Sequence, residues 1–370
     1  MNRRASGLLH LATFLAVVAI VLLAPQSEVS AKQLPLAGVA GLLAIAGVIS
    51  IWRPGWQLVL SGLAAHVAAY LLIAALPALP GIVRIAGLAF WMLVASAWLT
   101  AWAFAQSLSA VQPRGHLVER LLGILVPLVF GLWLLILWEI TVRGLGVPRV
   151  LLPAPSAIWS RLVASVPTLV ADFRQTFQAV LIGYAIGSAS GFVVAILADR
   201  VPFLRRGLLP VGNLVSALPI IGIAPIMVMW FGFDWPSKAA VVVVMTFFPM
   251  LVNTVAGLAA ASAQERDLMR TYAAGYWRSL VKLRLPAALP FIFNALKINS
   301  TLALIGAIVA EFFGTPIVGM GFRISTEVGR MNIDMVWAEI AVAALAGSAF
   351  YGLISLAERT LTFWHPSYRS

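Results

Sequence analysis

One polar stretch, residues 264–290, interrupts the otherwise apolar second half of the chain. Its basic residues are Arg266, Arg270, Arg278, Lys282 and Arg284. Short loops rich in Lys and Arg stay on the cytoplasmic side of a membrane, so we expect this stretch to face the cytoplasm. Its length and composition predict one or two short amphipathic helices that end at Pro286. The chemistry that these residues predict is docking of a partner protein rather than catalysis.

Neutral polar side chains and prolines inside the apolar segments are the residues that could contact a solute within the membrane. The candidates for such a translocation path are Asn213, Ser216, Pro219, Pro225, Asn253, Thr254, Asn299, Ser300 and Glu311. Prolines leave backbone carbonyls that need water or protein partners, which favours a cavity-lining role for the segment around Pro219 and Pro225. The densest polar group is Asn299, Ser300 and Thr301. Hydrogen bonding between helices is the alternative use of the same polar residues.

Several chemistries are excluded by residue types or spacings that the sequence lacks. The chain has no cysteine, which excludes thiolate catalysis and cysteine metal sites, and its four histidines lack ligand spacing. We therefore predict no catalytic residue, no metal site and no cofactor in this chain. Lysine never follows glycine, so no phosphate-binding loop exists and ATP should be neither bound nor hydrolysed here. The net charge of +12 lies in short loops, where it meets anionic lipid, so no nucleic acid partner is expected.

Composition places these residues in a membrane. The sequence is 62% hydrophobic and only 10% charged, and its apolar residues fall in blocks of membrane-spanning length. This predicts an all-α polytopic membrane protein. The apolar segments are 8–24, 34–51, 57–76, 82–105, 119–141, 175–198, 207–232, 238–260, 291–313 and 336–358. The first also resembles a signal peptide with a cleavage site at Val29–Ala31, a second interpretation of that segment.

Loop charge and composition predict the topology and two domains. The Lys and Arg residues of the short loops place both termini in the cytoplasm. The polar segment 106–118 separates an accessory bundle of about four spans, residues 1–110, from a core of about six spans, residues 119–365. The core contains the cytoplasmic loop 261–290. Gly183, Gly187 and Gly191 share one helical face and predict close helix packing.

Four motifs in the core resemble the permease subunits of bacterial ABC importers of the nitrate, sulfonate and taurine type. They are Leu-Pro-Ala-Pro-Ser at 152–156, Leu-Pro-Ile-Ile-Gly to Trp-Phe-Gly at 218–232, Phe-Phe-Pro to Asn-Thr at 247–254, and Leu-Pro-Ala-Ala-Leu-Pro at 285–290 followed by Ala-Glu-Phe-Phe-Gly at 310–314. The resemblance implies a six-helix permease core, to which four N-terminal spans have been added.

The family's coupling motif departs from its usual pattern in this chain. Counting back from Leu285 and Pro286 places the motif's acid at Asp267 and its glycine at Ala273, unless the glycine has moved to Gly275. The resemblance implies that this segment docks on an ATPase, with aromatic anchors and a basic rim. The residues assigned to coupling are Asp267, Arg270, Ala273, Gly275, Tyr276, Trp277, Arg278, Leu285 and Pro286.

The resemblance implies an inner-membrane permease that is not itself an enzyme. Its implied partners are ABC ATPase subunits that bind ATP and Mg²⁺, a periplasmic or lipid-anchored binding protein, and a second permease copy. The implied cargo is a small organic solute, either of the sulfonate, taurine and nitrate class or a heteroaromatic vitamin precursor such as a pyrimidine or flavin. The alternative function is a stand-alone secondary transporter or channel, distinguished by whether uptake needs an ATPase. A lipid-modifying enzyme would need a polar catalytic cluster, which the sequence lacks.

Overall fold

The computed structural model describes residues 3–23, 34–52, 56–76, 87–112, 115–216, 219–314 and 317–364, and the regular structure within these ranges is helical. The first helices are α1 (Arg3–Leu23), α2 (Leu34–Trp52), α3 (Gln57–Ala75), α4 (Gly87–Ser109), α5 (His116–Gly144) and α6 (Pro155–Ala164). The next are α7 (Val166–Arg200), α8 (Pro202–Ser216), α9 (Ile220–Phe231), α10 (Trp235–Ala259), α11 (Ala263–Thr271) and α12 (Tyr276–Ser279). The last are α13 (Leu285–Glu311), α14 (Met320–Gly329) and α15 (Ile333–Leu361).

Eight helices in the described ranges are long and apolar enough to cross a membrane, and the apolar helices Leu36–Trp52 and Ile220–Phe231 are shorter. The prediction of an all-α polytopic membrane protein is therefore confirmed. The predicted segment 207–232 is two helices, α8 and α9, with Pro219 as the extended residue before α9. Pro225 lies inside α9 instead of ending it.

The chain divides into two compact units, Met1–Ala157 and Ile158–Ser370, and the boundary falls within α6. The sequence-based division into an accessory bundle, 1–110, and a transport core, 119–365, concerns function and stays a prediction.

Small residues let the helices of the first unit approach closely. On α1, the buried residues Ala5, Ala12, Ala16 and Ala19 recur at helical spacing. The Ser96 hydroxyl of α4 donates to the Ala12 carbonyl of α1 at 2.8 Å. This stripe makes α1 an integral part of the bundle, while the residues of the alternative cleavage site, 29–31, lie outside the described ranges.

Helix α10 is the centre of the second unit, where it packs between α7 and α13. The glycine face of α7 lies directly against it: a Cβ atom would come within 2.7 Å of the Ala239 carbonyl at Gly183 and of the Val243 carbonyl at Gly187. At Gly191 it would come within 2.5 Å of the Phe247 carbonyl. The packing role predicted for these glycines is confirmed, because any larger side chain would push α7 away from α10.

The polar stretch forms two short helices, α11 and α12, as predicted. A π-helical turn, Leu280–Arg284, joins α12 to α13, so the chain is helical without interruption from Tyr276 to Glu311. The prediction that the short helices end at Pro286 is wrong. Pro286 occupies the first turn of α13, where a missing backbone N–H is tolerated, and the π-turn accommodates the change in hydrogen bonding.

Candidate functional site

The coupling segment, residues 262–284, begins with a fully formed helix cap. The Ser262 hydroxyl accepts from the Glu265 amide at 3.2 Å, and the Glu265 carboxylate accepts from the Ser262 amide at 2.8 Å. This reciprocal pair satisfies two backbone donors at the start of α11. The bond from the Ser262 amide lowers the pKa of Glu265 below its ordinary value. The cap is therefore complete where the Glu265 carboxylate is ionised, and it is lost as the pH falls through the lowered pKa of Glu265.

Helix α11 ends in a Schellman motif whose left-handed residue is Ala273. The Ala274 amide donates to the Met269 carbonyl at 2.9 Å and the Ala273 amide to the Arg270 carbonyl at 2.8 Å. Ala273 has φ +50°, a conformation that proteins usually give to glycine at this position. Gly275 has φ −64°, which any residue adopts. The left-handed turn therefore lies at the position that the motif count assigned to the family's glycine, and not at Gly275.

This segment is tied to α7 and α10 by a group of contacts that we call the coupling joint. The joint consists of Asp199, Tyr276, Arg284 and the Leu258 carbonyl. Arg284 donates to both Asp199 oxygens, at 2.8 and 2.6 Å, and to the Leu258 carbonyl at 3.0 Å. The Tyr276 hydroxyl also donates to Asp199, at 2.9 Å. The Asp199 side chain is only 4% exposed. The joint thus connects the last residues of α7 and α10 to the start of α13.

The face of the coupling segment that remains exposed carries Trp277, Tyr272 and Leu268. The Arg200 guanidinium lies 5.4 Å from the ring centroids of both Trp277 and Tyr276. Trp277, at 58% exposure, is therefore held in place while remaining open to a partner. Tyr276, predicted as a second anchor, is half-buried and bonded within the joint.

The other predicted coupling residues divide between this surface and the unit's own packing. Arg270 and Arg278 are exposed, and Arg270 pairs with Asp267 at 3.1 Å. Leu285 packs beside the buried Leu280, and Pro286 is half-buried in the first turn of α13. Sequence reasoning missed the exposed residues Leu268, on α11, and Tyr272, which caps its end. Their four-residue spacing, which places two side chains on one side of a helix, was the signal that could have found them.

The predicted path residues on α10 and α13 fall on two different faces. Asn299 and Ser300 are fully buried: Asn299 donates to the Ser188 hydroxyl at 3.0 Å and to the Thr246 carbonyl at 2.7 Å. Thr254 is also fully buried. The two Asn299 bonds are the interhelical hydrogen bonds of the alternative interpretation, and the burial of all three side chains argues against a lining role in this conformation.

A second polar group lies on the exposed face of α13. Asn294 and Thr301 are exposed there. The side-chain amide of Asn294 donates to the side-chain oxygen Oδ1 of Asn253, on α10, at 3.4 Å. Asn253 is partly exposed, and its own amide donates to the Pro249 carbonyl at 2.8 Å. Among the polar side chains that were predicted to line the path and that the structure describes, Asn253 is the one that is not buried. The side chains of Asn213 and Ser216, on α8, lie outside the described part of the structure.

Glu311 bonds to the first turn of α14 rather than facing an open path. It is 2% exposed, and it accepts from the Thr176 hydroxyl at 2.8 Å and from the Gly321 amide at 2.7 Å. Asp172 accepts from the Gly319 amide at 2.8 Å and from Arg323 at 2.8 Å. Together with the Thr176 hydroxyl, which accepts from the Met320 amide at 2.9 Å, these acceptors satisfy the backbone amides at the start of α14. The contacts give Glu311 a structural role that sequence reasoning missed.

Comparison with known proteins places this arrangement in a family. Residues 187–363 match the family described as binding-protein-dependent transport system inner membrane component. The chain is 32% identical over 248 residues to the formylaminopyrimidine transport permease protein ThiX of Halalkalibacterium halodurans, covering 67% of this chain and 98% of that protein. It is 28% identical to the riboflavin transport system permease protein RibX of Chloroflexus aurantiacus, over 70% of this chain and 97% of that one.

A third relative is the putative aliphatic sulfonates transport permease protein SsuC of Bacillus subtilis, 28% identical over 66% of this chain and 88% of that one. In each comparison about a third of this chain lies outside the match, while the relative is covered almost completely. The coupling segment and the helices that hold it all lie within the residues that match the family, apart from the first part of α7. The chain belongs to the binding-protein-dependent transport system inner membrane components, the multi-pass permease subunits of ABC importers.

Proposed function

We propose that this permease works as a homodimer, takes its energy from separate ATPase subunits that dock on the coupling segment, and receives its solute from a periplasmic or lipid-anchored binding protein. ATP and Mg²⁺ are bound by the ATPase subunits. The observation that carries the proposal is the coupling segment itself: an exposed, aromatic and basic surface fixed to α7 by the Asp199–Arg284 ion pair and to α10 by the bond from Arg284 to the Leu258 carbonyl. Both termini and the coupling segment lie on the cytoplasmic side, in agreement with the loop charges.

Exposed apolar side chains of α9 support a second permease copy. Ile221, Met229 and Trp230 are 63, 83 and 70% exposed. In the homodimer these side chains and the exposed polar face of α13 line a shared path, since amide side chains such as Asn294 are costly against lipid. Bilayer lipid covers the remaining apolar surface.

The cargo proposed for this path is a small heteroaromatic or zwitterionic organic solute. Asn253, Asn294 and Thr301 offer neutral donors and acceptors, which suit ring nitrogens and carbonyls. Two of the relatives are named for formylaminopyrimidine and riboflavin transport, and a third for aliphatic sulfonates. A sulfonate is the second cargo class, favoured by that third relative.

Truncation of Trp277 tests the docking proposal. A buried aromatic anchor costs roughly 2 kcal/mol or more when truncated, so Trp277→Ala should weaken ATPase co-purification at least tenfold and abolish ATP-dependent uptake in proteoliposomes. Trp56→Ala is the matched control, because Trp56 is similarly exposed, at 61%, and lies in the first unit. Full uptake by Trp277→Ala with the ATPase still bound would contradict the proposal.

A further inference from the structure

One carboxyl group of the second unit, that of Glu339, is buried without a hydrogen-bond donor among the described residues. Glu339 lies on α15 and is 0% exposed, and both of its carboxyl oxygens are buried and unbonded. An ionised carboxylate that is removed from water without a partner is strongly unfavourable. A carboxyl group in this position is therefore either paired or neutral, and its neighbours determine which.

Every other buried carboxylate that the structure describes in the second unit accepts a hydrogen bond from a side-chain donor. These bonds run to Asp172 from Arg323 at 2.8 Å, to Glu311 from Thr176 at 2.8 Å, to Glu327 from Asn332 at 2.7 Å and to Glu358 from Lys297 at 2.7 Å. The guanidinium near Glu339 is that of Arg323, which is already paired with Asp172. Glu339 is therefore the exception among these carboxyl groups.

The group that Glu339 faces is a second carboxyl group, that of Asp172 on α7. Its other charged neighbours are Arg323 on α14 and Glu311 on α13, and Glu327 adds a negative charge beside Arg323. Two carboxylates that share a buried site cannot both be ionised, because their like charges repel. One proton between them removes the repulsion and forms a strong hydrogen bond.

Asp172 is bonded as an acceptor: its oxygens accept from the Gly319 amide and from Arg323, each at 2.8 Å, and a carboxylate has room for a third donor. We propose that Glu339 is a neutral carboxylic acid in this conformation and donates its proton to Asp172. Glu339 is then a positioning residue, because through Asp172 it ties α15 to the contacts that hold the first turn of α14. This inference concerns the chain alone and does not rest on the proposed ATPase docking or cargo.

Infrared spectroscopy of the purified full chain at neutral pH tests the protonation state directly. The detergent is dodecyl maltoside, which has no carbonyl group and leaves the C=O stretch of a carboxylic acid visible. In the difference spectrum between wild type and Glu339→Gln, we expect the loss of a carboxylic acid band. Glu358→Gln is the matched control: Glu358 is also buried on α15 but is paired with Lys297, so this variant should lose ionised-carboxylate bands instead. Loss of ionised-carboxylate bands in Glu339→Gln would overturn the proposal.

Hydrogen exchange at the start of α14 tests the positioning role. Glutamine keeps a donor for Asp172, whereas leucine has a similar size and no donor. Glu339→Leu should therefore speed exchange of the Met320 and Gly321 amides about tenfold, while Glu339→Gln should stay close to the wild-type rate. If Glu339 were ionised, both substitutions would remove a repulsive charge and slow this exchange. Unchanged or slower exchange in Glu339→Leu would overturn the positioning role, and if that variant fails to fold, the infrared result for Glu339→Gln decides.

Discussion

At the scale of single residues, Ala273 is the position where local backbone geometry and side-chain type disagree. The Schellman end of α11 needs a left-handed residue, and alanine pays a steric cost of about 1 kcal/mol to adopt it. The equivalent turn after α5 uses Gly146, with φ +65°. Alanine therefore keeps the turn but holds it less firmly than glycine would.

Replacing Ala273 with glycine should stabilise the end of α11 by about 0.5–1 kcal/mol, which slows hydrogen exchange of the α11 amides about threefold. Gly275→Ala is the control: φ is already negative, and the new Cβ would have open space. Exchange measured by mass spectrometry should change for the first variant and stay unchanged for the second. Faster exchange in Ala273→Gly would show that the turn is not left-handed.

Asn294 and Asn299 lie close together on α13 but on different faces of the helix. Asn294 is exposed and Asn299 is buried, so we expect them to have different roles. Asn299→Leu removes two buried hydrogen bonds and should cost about 2 kcal/mol, measured as a lower melting temperature. Asn294→Leu should leave the melting temperature unchanged and raise the KM of uptake. A changed KM at Asn299 with normal stability, and no effect on uptake at Asn294, would reverse these assignments.

The sequence could name these polar residues but could not assign their faces. Asn299, Ser300 and Thr301 are consecutive, so at least one must lie on a different side of α13 from the others, and only the packing of α7 and α10 decides which. Glu311 shows the same limit from the other direction. Its partners Thr176 and Gly321 belong to α7 and to the first turn of α14, so its structural role has no local signature.

At the scale of elements, α12, the π-turn and α13 form one continuous helix, and the coupling joint fixes its first residues to α7 and α10. Its ion pair joins Asp199 and Arg284, which are 85 positions apart in sequence. A movement imposed on α12 reaches α7 through this pair, and reaches α10 through the bond from Arg284 to the Leu258 carbonyl, without crossing a flexible loop. Motif spacing located the segment that we propose as the docking surface, but such a long-range pair follows only from the packing.

Breaking the joint should uncouple transport. Asp199→Asn leaves Arg284 without its counter-charge in a poorly exposed site, at a cost of about 3 kcal/mol. ATP hydrolysis by the assembled complex should persist while uptake falls at least tenfold. The double variant Asp199→Arg with Arg284→Asp should recover part of the uptake, because the pair is restored while the bonds from Tyr276 and to Leu258 are not.

Asp334→Asn is the control for that experiment. Its partner Arg161 lies at 3.0 Å, and both side chains keep part of their surface in solvent, at 38% for Arg161 and 28% for Asp334, so the pair contributes little. Uptake should stay close to wild type. Equal losses in Asp199→Asn and Asp334→Asn would mean that the joint has no special part in coupling.

At the scale of the whole molecule, composition and motif order were enough to predict the helical membrane class and the permease family. Block length alone determines which segments can span a bilayer, and the broken helix at Pro219 follows from proline chemistry. The first unit is different. Its aromatic side chains Trp98, Trp102, Phe130 and Trp133 come together only through the packing of α4 against α5, which no motif in the sequence records.

The central claim, that the coupling segment is the ATPase docking surface on the cytoplasmic side, is tested most directly by crosslinking in intact cells. A photoreactive benzoylphenylalanine at position 277 should form a covalent adduct with the ATPase subunit. The same residue at position 345, on α15 and also well exposed, should not. The adduct would identify the partner of the coupling segment and the side of the membrane on which the segment lies. An assembled transporter that gives no ATPase adduct from position 277, or an adduct there with a protein from the opposite side of the membrane, would contradict the account.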